Sequence, residues 1–332
     1  MHIFKNTNFD FLKWRIHAIV VSWAIIMAGA FVLFTRGIPL GIEFAGGTEI
    51  IEQFDNPTSI DQVRGPVVRA FGQDAIVQSF GDPTQREFLI RVPNVGAESG
   101  TALTSVADQV EGALRQGNVG GFKRLGTEIV GPAVGQELRS RALLATVFSL
   151  LGLLLYLAFR FQFSFGVGAV IATIHDLLIT LAFLAFFRYD MTLNVIAAIL
   201  TITGFSTNDT IVIFDRIREN LRSMRRDSLL HVINVSINQT LGRTVITSGT
   251  ALLTALALFF FGGEVLHGFA FTMIVGIITG TYSSVFIAAA IISFWRGSAP
   301  TWAAAHAPAT TLASAQQPQR KTKPQKKAAR AS

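Results

Sequence analysis

The chain has no cysteine. That excludes disulfides, thiol redox chemistry and thiolate metal sites, so any exported part must fold without cross-links. Charge is scarce too: 15% of residues are charged, 50% are hydrophobic, and mean hydropathy is positive. A disordered chain or an ordinary soluble one is excluded, and a membrane protein is indicated. Six histidines are present, but none falls into HExxH or another metal-ligand spacing. Gly166-Val167-Gly168 lacks the third glycine of a phosphate loop and lies inside an apolar run. No cofactor, metal or catalytic residue is expected, and the chain does not read as an enzyme.

What the sequence does have is long apolar runs. Six of them, about 16–35, 142–159, 165–187, 191–214, 244–261 and 268–295, can each cross roughly 30 Å of hydrocarbon at 1.5 Å per residue. The first follows Lys13 and Arg15, exceeds the length of a signal h-region and ends in Thr35-Arg36-Gly37 without a small-residue cleavage site; it reads as a retained signal anchor. Four parts follow: a cytoplasmic N-terminus with the first span at 1–36, a polar insertion at 37–140, five further spans at 141–295, and a basic tail at 296–332.

An even number of spans puts both termini on one side. The short loops there carry Lys5, Lys13, Arg15, Arg160, Arg216, Arg218, Arg222, Arg225 and Arg226, whereas the short loops opposite offer Arg188 alone. By the positive-inside rule the termini are cytoplasmic and the insertion is exported. The same bias absorbs the net charge of +7, so nucleic-acid binding is not expected. The tail, rich in Ala, Pro, Thr, Gln and Lys, reads as a disordered, solvated anchor.

Within the insertion, residues 43–54 read as a strand and 59–71 as a helix capped by Thr58 or Ser59. Strands follow at 75–80 and 87–92, then a helix at 101–115 and a last strand at 122–130. That β-α-β-β-α-β order is the ferredoxin-like split. Glycine-rich junctions flank it, with Gly46 and Gly47 on one side and Gly131 and Pro132 on the other. They serve as simple turns, as a hinge for the domain, or as both.

The residues that carry chemistry lie in the spans. Asp209 is about 19 residues beyond Asp190, and Arg243 about 19 before Gly262, so each sits roughly 28 Å below the outer face. Neighbouring antiparallel helices would bring the two to one level, where they could pair; the alternative is anchoring at the inner interface. Asn194, Thr201 and Asn208 recur every seven residues, and Thr247, Ser248, Thr250 and Thr254 add hydroxyls to the fifth span. Such groups suit a hydrated proton path or helix-helix contact. His175 and Asp176 in the third span form the deepest ionisable pair, a candidate relay or a structural pair. Adjacent helical residues point about 100° apart, so a bond between them is not expected. In the last span the small residues Gly268, Thr272, Gly276, Gly280 and Ser284 form a packing row, with Gly276 and Gly280 at GxxxG spacing.

Several blocks resemble the SecD/SecF family of bacterial protein-export subunits, part of the resistance-nodulation-division (RND) superfamily. They are GIEFAGG at 41–47, VGPAVGQEL at 130–138, His175-Asp176, GFSTNDTIVIFDRIREN at 204–220, NQTLGRTVITSGT at 238–250 and GTYSSVFIAAA at 280–290. Glu43 stands where the family usually has Asp, and Phe205 where it often has Tyr. The resemblance covers about 5–295. It implies a polytopic α-helical inner-membrane protein of six transmembrane helices, half of a twelve-helix unit completed by SecD, with a ferredoxin-like periplasmic domain. It further implies work beside the SecYEG channel, with YajC and indirectly SecA, in which the proton-motive force helps move preproteins. Asp209 and Arg243 fall on the family's proton-transport pair. Two rivals remain: a small-molecule exporter of the same superfamily, and a scaffold that conducts no protons.

Overall fold

The computed structural model describes residues 7–93, 100–160 and 163–297; the basic tail expected from the sequence lies almost wholly outside them. Among the described residues, six helices are long and apolar enough to cross a membrane. They are α1 (Arg15–Arg36), α5 (Pro132–Arg160), α6 (Phe163–Phe187), α7 (Leu193–Ser223), α8 (Leu229–Phe261) and α9 (Glu264–Ser283); the last continues through a π-helical stretch, Ser284–Ala288, into α10 (Ala289–Gly297). Several outrun the apolar segments that announced them. Helix α5 starts at Pro132, inside the stretch assigned to the insertion, because a polar helical turn with the Glu137–Arg141 pair precedes its apolar part. Proline suits that first position, where its missing N–H has no helical partner.

Between α1 and α5 lies the inserted domain: α2 (Ile42–Ala45), β1 (Gly47–Phe54), α3 (Ile60–Phe71), β2 (Ile76–Phe80), β3 (Glu87–Val92), α4 (Gly100–Gln116) and β4 (Phe122–Val130). Sheet order β2-β3-β1-β4, with every pair antiparallel, is the ferredoxin-like arrangement. Residues 43–45 depart from the expected strand: Gly41 and Gly46 bracket one helical turn there, and β1 starts at Gly47. Ser59 caps α3 in a reciprocal capping box with Gln62.

Alternation fixes the two faces of the sheet. Ile50, Phe54, Val77, Phe88, Ile90 and Val92 pack on Val63 and Val67 of α3 and on Ala107, Val110 and Leu114 of α4. Glu49, Ile51, Leu89, Arg91 and Glu128 lie on the other face, across a cleft of about 560 Å³ from Arg188, Tyr189, Asp190 and Glu264 at the near ends of the membrane helices. Helix α9 threads the helical bundle. A Cβ added at Gly276 would lie 2.2 Å from Ile202 Cδ1, and one at Gly280 would lie 2.8 Å from Ser206 Cβ. The small-residue row of the last span therefore is a close α7–α9 contact.

Candidate functional site

Asp209 projects from α7 toward α8 and is buried. Thr244 Oγ1 donates to its Oδ1 at 2.7 Å, while Oδ2 is buried without a hydrogen-bond partner. The depth arithmetic from the sequence thus aligns the right turns of α7 and α8 but picks the neighbour of the residue that makes the bond. Arg243 instead points outward, exposed, and lines a cleft of about 380 Å³ with Asp215, Arg216, Glu219, Gln239 and Thr240. Consecutive helical residues diverge by about 100°, so Thr244 and Arg243 cannot both face Asp209 squarely.

Around this carboxylate the outward face of the bundle is polar. Thr201, Asn208, Thr247, Thr250 and Thr254 are all exposed. The threonines return their hydroxyls to carbonyls of their own helices. Such groups are costly against lipid tails and suit a contact with further protein.

A second acid sits deeper. Asp176 on α6 is 2% exposed, and its two oxygens face donors from three helices. Oδ1 lies 3.0 Å from His175 Nδ1. Oδ2 accepts from Ser206 of α7 in a short bond and from Ser283 of α9 at 2.8 Å. The histidine and aspartate do bond each other, against the expectation from helix geometry. Both side chains are short and flex about χ1, so neighbours can close the gap that their Cβ directions leave. His175 Nε2 is buried without a partner, and the imidazole lies beside the Tyr282 ring.

Between the two acids, α7 and α9 meet through hydroxyls: those of Thr210, next to Asp209, and Ser284, next to Ser283, lie 2.8 Å apart. Among the described residues, neither hydroxyl of that pair bonds either acid. The π-helical stretch opens at this point, at Ser284; π turns inside α-helices recur at functional sites. Sequence reasoning missed Ser206, Thr210, Thr244 and Ser283, and gave Ser284 only a packing role. Serine and threonine are common in spans, and only helix packing selects those that meet an acid.

The glycine junctions are packed. Gly46 and Gly47 have φ of 71° and 130°, and a Cβ on Gly47 would lie 2.5 Å from Val92 O. Gly135, one turn into the helix that Pro132 opens, lies against Gly46. At the far end of α7, Arg160 pairs with Asp215 at 2.7 Å, and Asn220 donates to Ser236 and Gln239 of α8.

The profile described as "Protein export membrane protein SecD/SecF, C-terminal" matches residues 109–298, and that of the "SecD/SecF GG Motif" matches 31–58. Protein translocase subunit SecF of Desulfurispirillum indicum is 41% identical over 289 residues, covering 86% of this chain and 91% of the relative. SecF of Pseudomonas aeruginosa is 42% identical over 285 residues, covering 86% and 90%. Among solved structures, SecDF of Thermus thermophilus, a translocon-associated membrane protein, superposes with a TM-score of 0.77 at 35% identity. That match covers 88% of this chain but 39% of the SecDF chain.

Proposed function

Because this chain belongs to the SecD/SecF family of protein-export membrane proteins, we propose that it uses the proton-motive force to assist preprotein transport. It is a multi-pass membrane subunit of the Sec translocase, and its partner is SecD. In this reading SecD supplies the other half of a twelve-helix unit and covers the polar face around Asn208, Arg243 and Thr247. The unit stands beside SecYEG, with YajC and indirectly SecA, in the inner membrane. Both termini are cytoplasmic and the ferredoxin-like domain is exported.

The observation that carries the proposal is Asp209: a buried carboxylate with one oxygen held by Thr244 and the other unpartnered, at the edge of an exposed polar face. A proton arriving from outside neutralises an acid at the SecD contact, either Asp209 or a SecD acid sharing the proton with it. The attraction of Arg243 for that site falls, and the two bundles rock. Gly46, Gly47, Gly131 and Pro132 carry the motion to the exported domain. His175 and Asp176 serve as a relay, with Ser206 and Ser283 holding Asp176. One charge crossing 100 mV is worth about 2.3 kcal/mol, enough to bias a two-state equilibrium roughly fifty-fold.

The test is export by membrane vesicles with the gradient intact and collapsed. Asp209→Asn should assemble with SecD and export equally under both conditions. Wild-type stimulation by the gradient in that variant would overturn the proposal.

A further inference from the structure

Arg91 is a strand residue that does the work of a joint. It lies on β3, on the sheet face turned toward the membrane helices, and is 8% exposed. Its guanidinium binds three separate pieces of the chain. Nε and Nη2 donate to Glu49 of β1 at 2.9 and 2.7 Å. Nη1 donates to the carbonyl of Leu40, in the segment that leads into the inserted domain, at 3.1 Å. Nη2 also reaches Asp190, in the turn between α6 and α7, at 3.1 Å. Only arginine has a planar fork that serves three acceptors at once. Burial works against its charge, yet Asp190 and Glu49 outweigh that and hold the guanidinium above its ordinary pKa.

A backbone contact lies beside this ion cluster. Leu40 and Met191 form a parallel β-bridge, in which Gly41 N donates to Met191 O and Met191 N donates to Pro39 O, both at 2.8 Å. A Cβ at Gly41 would lie 2.8 Å from Thr192 Cγ2 and 3.0 Å from Met191 O, so the approach needs glycine. Thr192 is the N-cap of α7, the helix that carries Asp209. The contact therefore grips the top of that helix. An unbroken α-helix of about 17 residues, roughly 25 Å, separates it from the carboxylate.

We propose that Arg91, Asp190 and the Leu40–Met191 bridge form a permanently closed joint that passes movement of the Asp209 helix to the exported domain. The proposal rests on the gradient-driven reading above and deepens it. Opening the joint would take Asp190 and the backbone bridge away from a buried guanidinium and leave it Glu49 of its own sheet, which is unfavourable; a closed joint transmits displacement, whereas a latch would release it. Arg91 and Asp190 are positioning residues, remote from the proton site.

The absence of native cysteine makes the joint directly testable. In vesicles holding the whole translocase, Asp190→Asn should lose the gradient-dependent part of export and keep the gradient-independent part and SecD binding. Arg91→Lys, which keeps the charge without the fork, should do the same. A disulfide between Leu40→Cys and Met191→Cys should form readily, since bridged strands lie within disulfide reach. It should leave otherwise wild-type export intact and restore the gradient response to Asp190→Asn, with reductant removing the rescue. A purely stabilising contact predicts instead that Asp190→Asn lowers gradient-independent export and SecD binding along with the gradient response. The joint is refuted by a wild-type gradient response in Asp190→Asn, by a pair that does not cross-link, by loss of export on oxidising the cysteine pair alone, or by failure of the disulfide to rescue. Asp209→Asn in the same assay separates the two ideas: if it too keeps a wild-type gradient response, the proton reading has failed rather than the joint.

Discussion

Carboxylates decide this protein at the scale of single residues, and they differ in how visible they are. Asp209 and Asp176 stand out in sequence because acids are rare in apolar runs. Glu52 does not, although it is 0% exposed. The alternation of β1 that sends Ile50 and Phe54 into the domain core sends Glu52 there as well, a signal legible in hindsight. Arg124 of β4 approaches to 3.9 Å but is engaged by Asp108 and Glu111 of α4. Burial, with repulsion from Glu111 added and Arg124 and Arg115 opposing, lifts the Glu52 carboxyl to about 7. A raised acid favours the folded state at low pH, and that contribution is lost as pH climbs from about 4.5 toward 7. Glu52→Gln should therefore stabilise the inserted domain at pH 8 by up to about 3.5 kcal/mol, at about 1.4 kcal/mol per pKa unit, and flatten its pH dependence. Hydrogen exchange of β1 and β4 amides in the full chain at pH 5 and pH 8 measures this; an unchanged pH 8 value in the variant would count against it.

Among the elements, helices and strands were largely readable and their limits were not. Hydropathy reports where lipid surrounds a helix, not where the helix stops. That is why α7 continues to Ser223 as a polar, ion-paired extension and α8 starts at Leu229, before its apolar run. The Arg91 joint was unreadable for another reason. Its acids, Glu49 and Asp190, are 42 and 99 positions away in the chain, and no local pattern links a strand arginine to a turn between spans. The small-residue row of α9, by contrast, was evident from its four-residue period. Its packing makes opposite outcomes for two glycines. Gly276→Ala would push a methyl into Ile202 and should destabilise the bundle by about 1–3 kcal/mol. Gly204→Ala meets nothing within 4 Å and should be neutral or stabilising, by up to about 1 kcal/mol. Thermal unfolding of the detergent-solubilised chain checks both, and equal midpoints for the two variants would show that α7 and α9 are not in close contact.

For the whole molecule, the bundle is lopsided. Asp176 is enclosed on one side by α6, α7 and α9, while Asn208, Arg243, Thr247 and Thr250 face outward. The match to the Thermus thermophilus SecDF chain covers 39% of that chain, so this chain spans less than half of it. The sequence disclosed the polar stripe but not its direction, because facing requires the arrangement of neighbouring helices. The central claim of the proposed cycle is that the driving proton is taken up at the SecD contact, by Asp209 or by a SecD acid that shares it with Asp209. Its most direct test is proton uptake by sealed vesicles containing this chain assembled with SecD and a translocating preprotein. An interior pH dye would follow uptake under an imposed inside-negative potential. Wild-type vesicles should acidify, and Asp209→Asn vesicles should stay at the protein-free rate. Acidification by Asp209→Asn at the wild-type rate would contradict the claim.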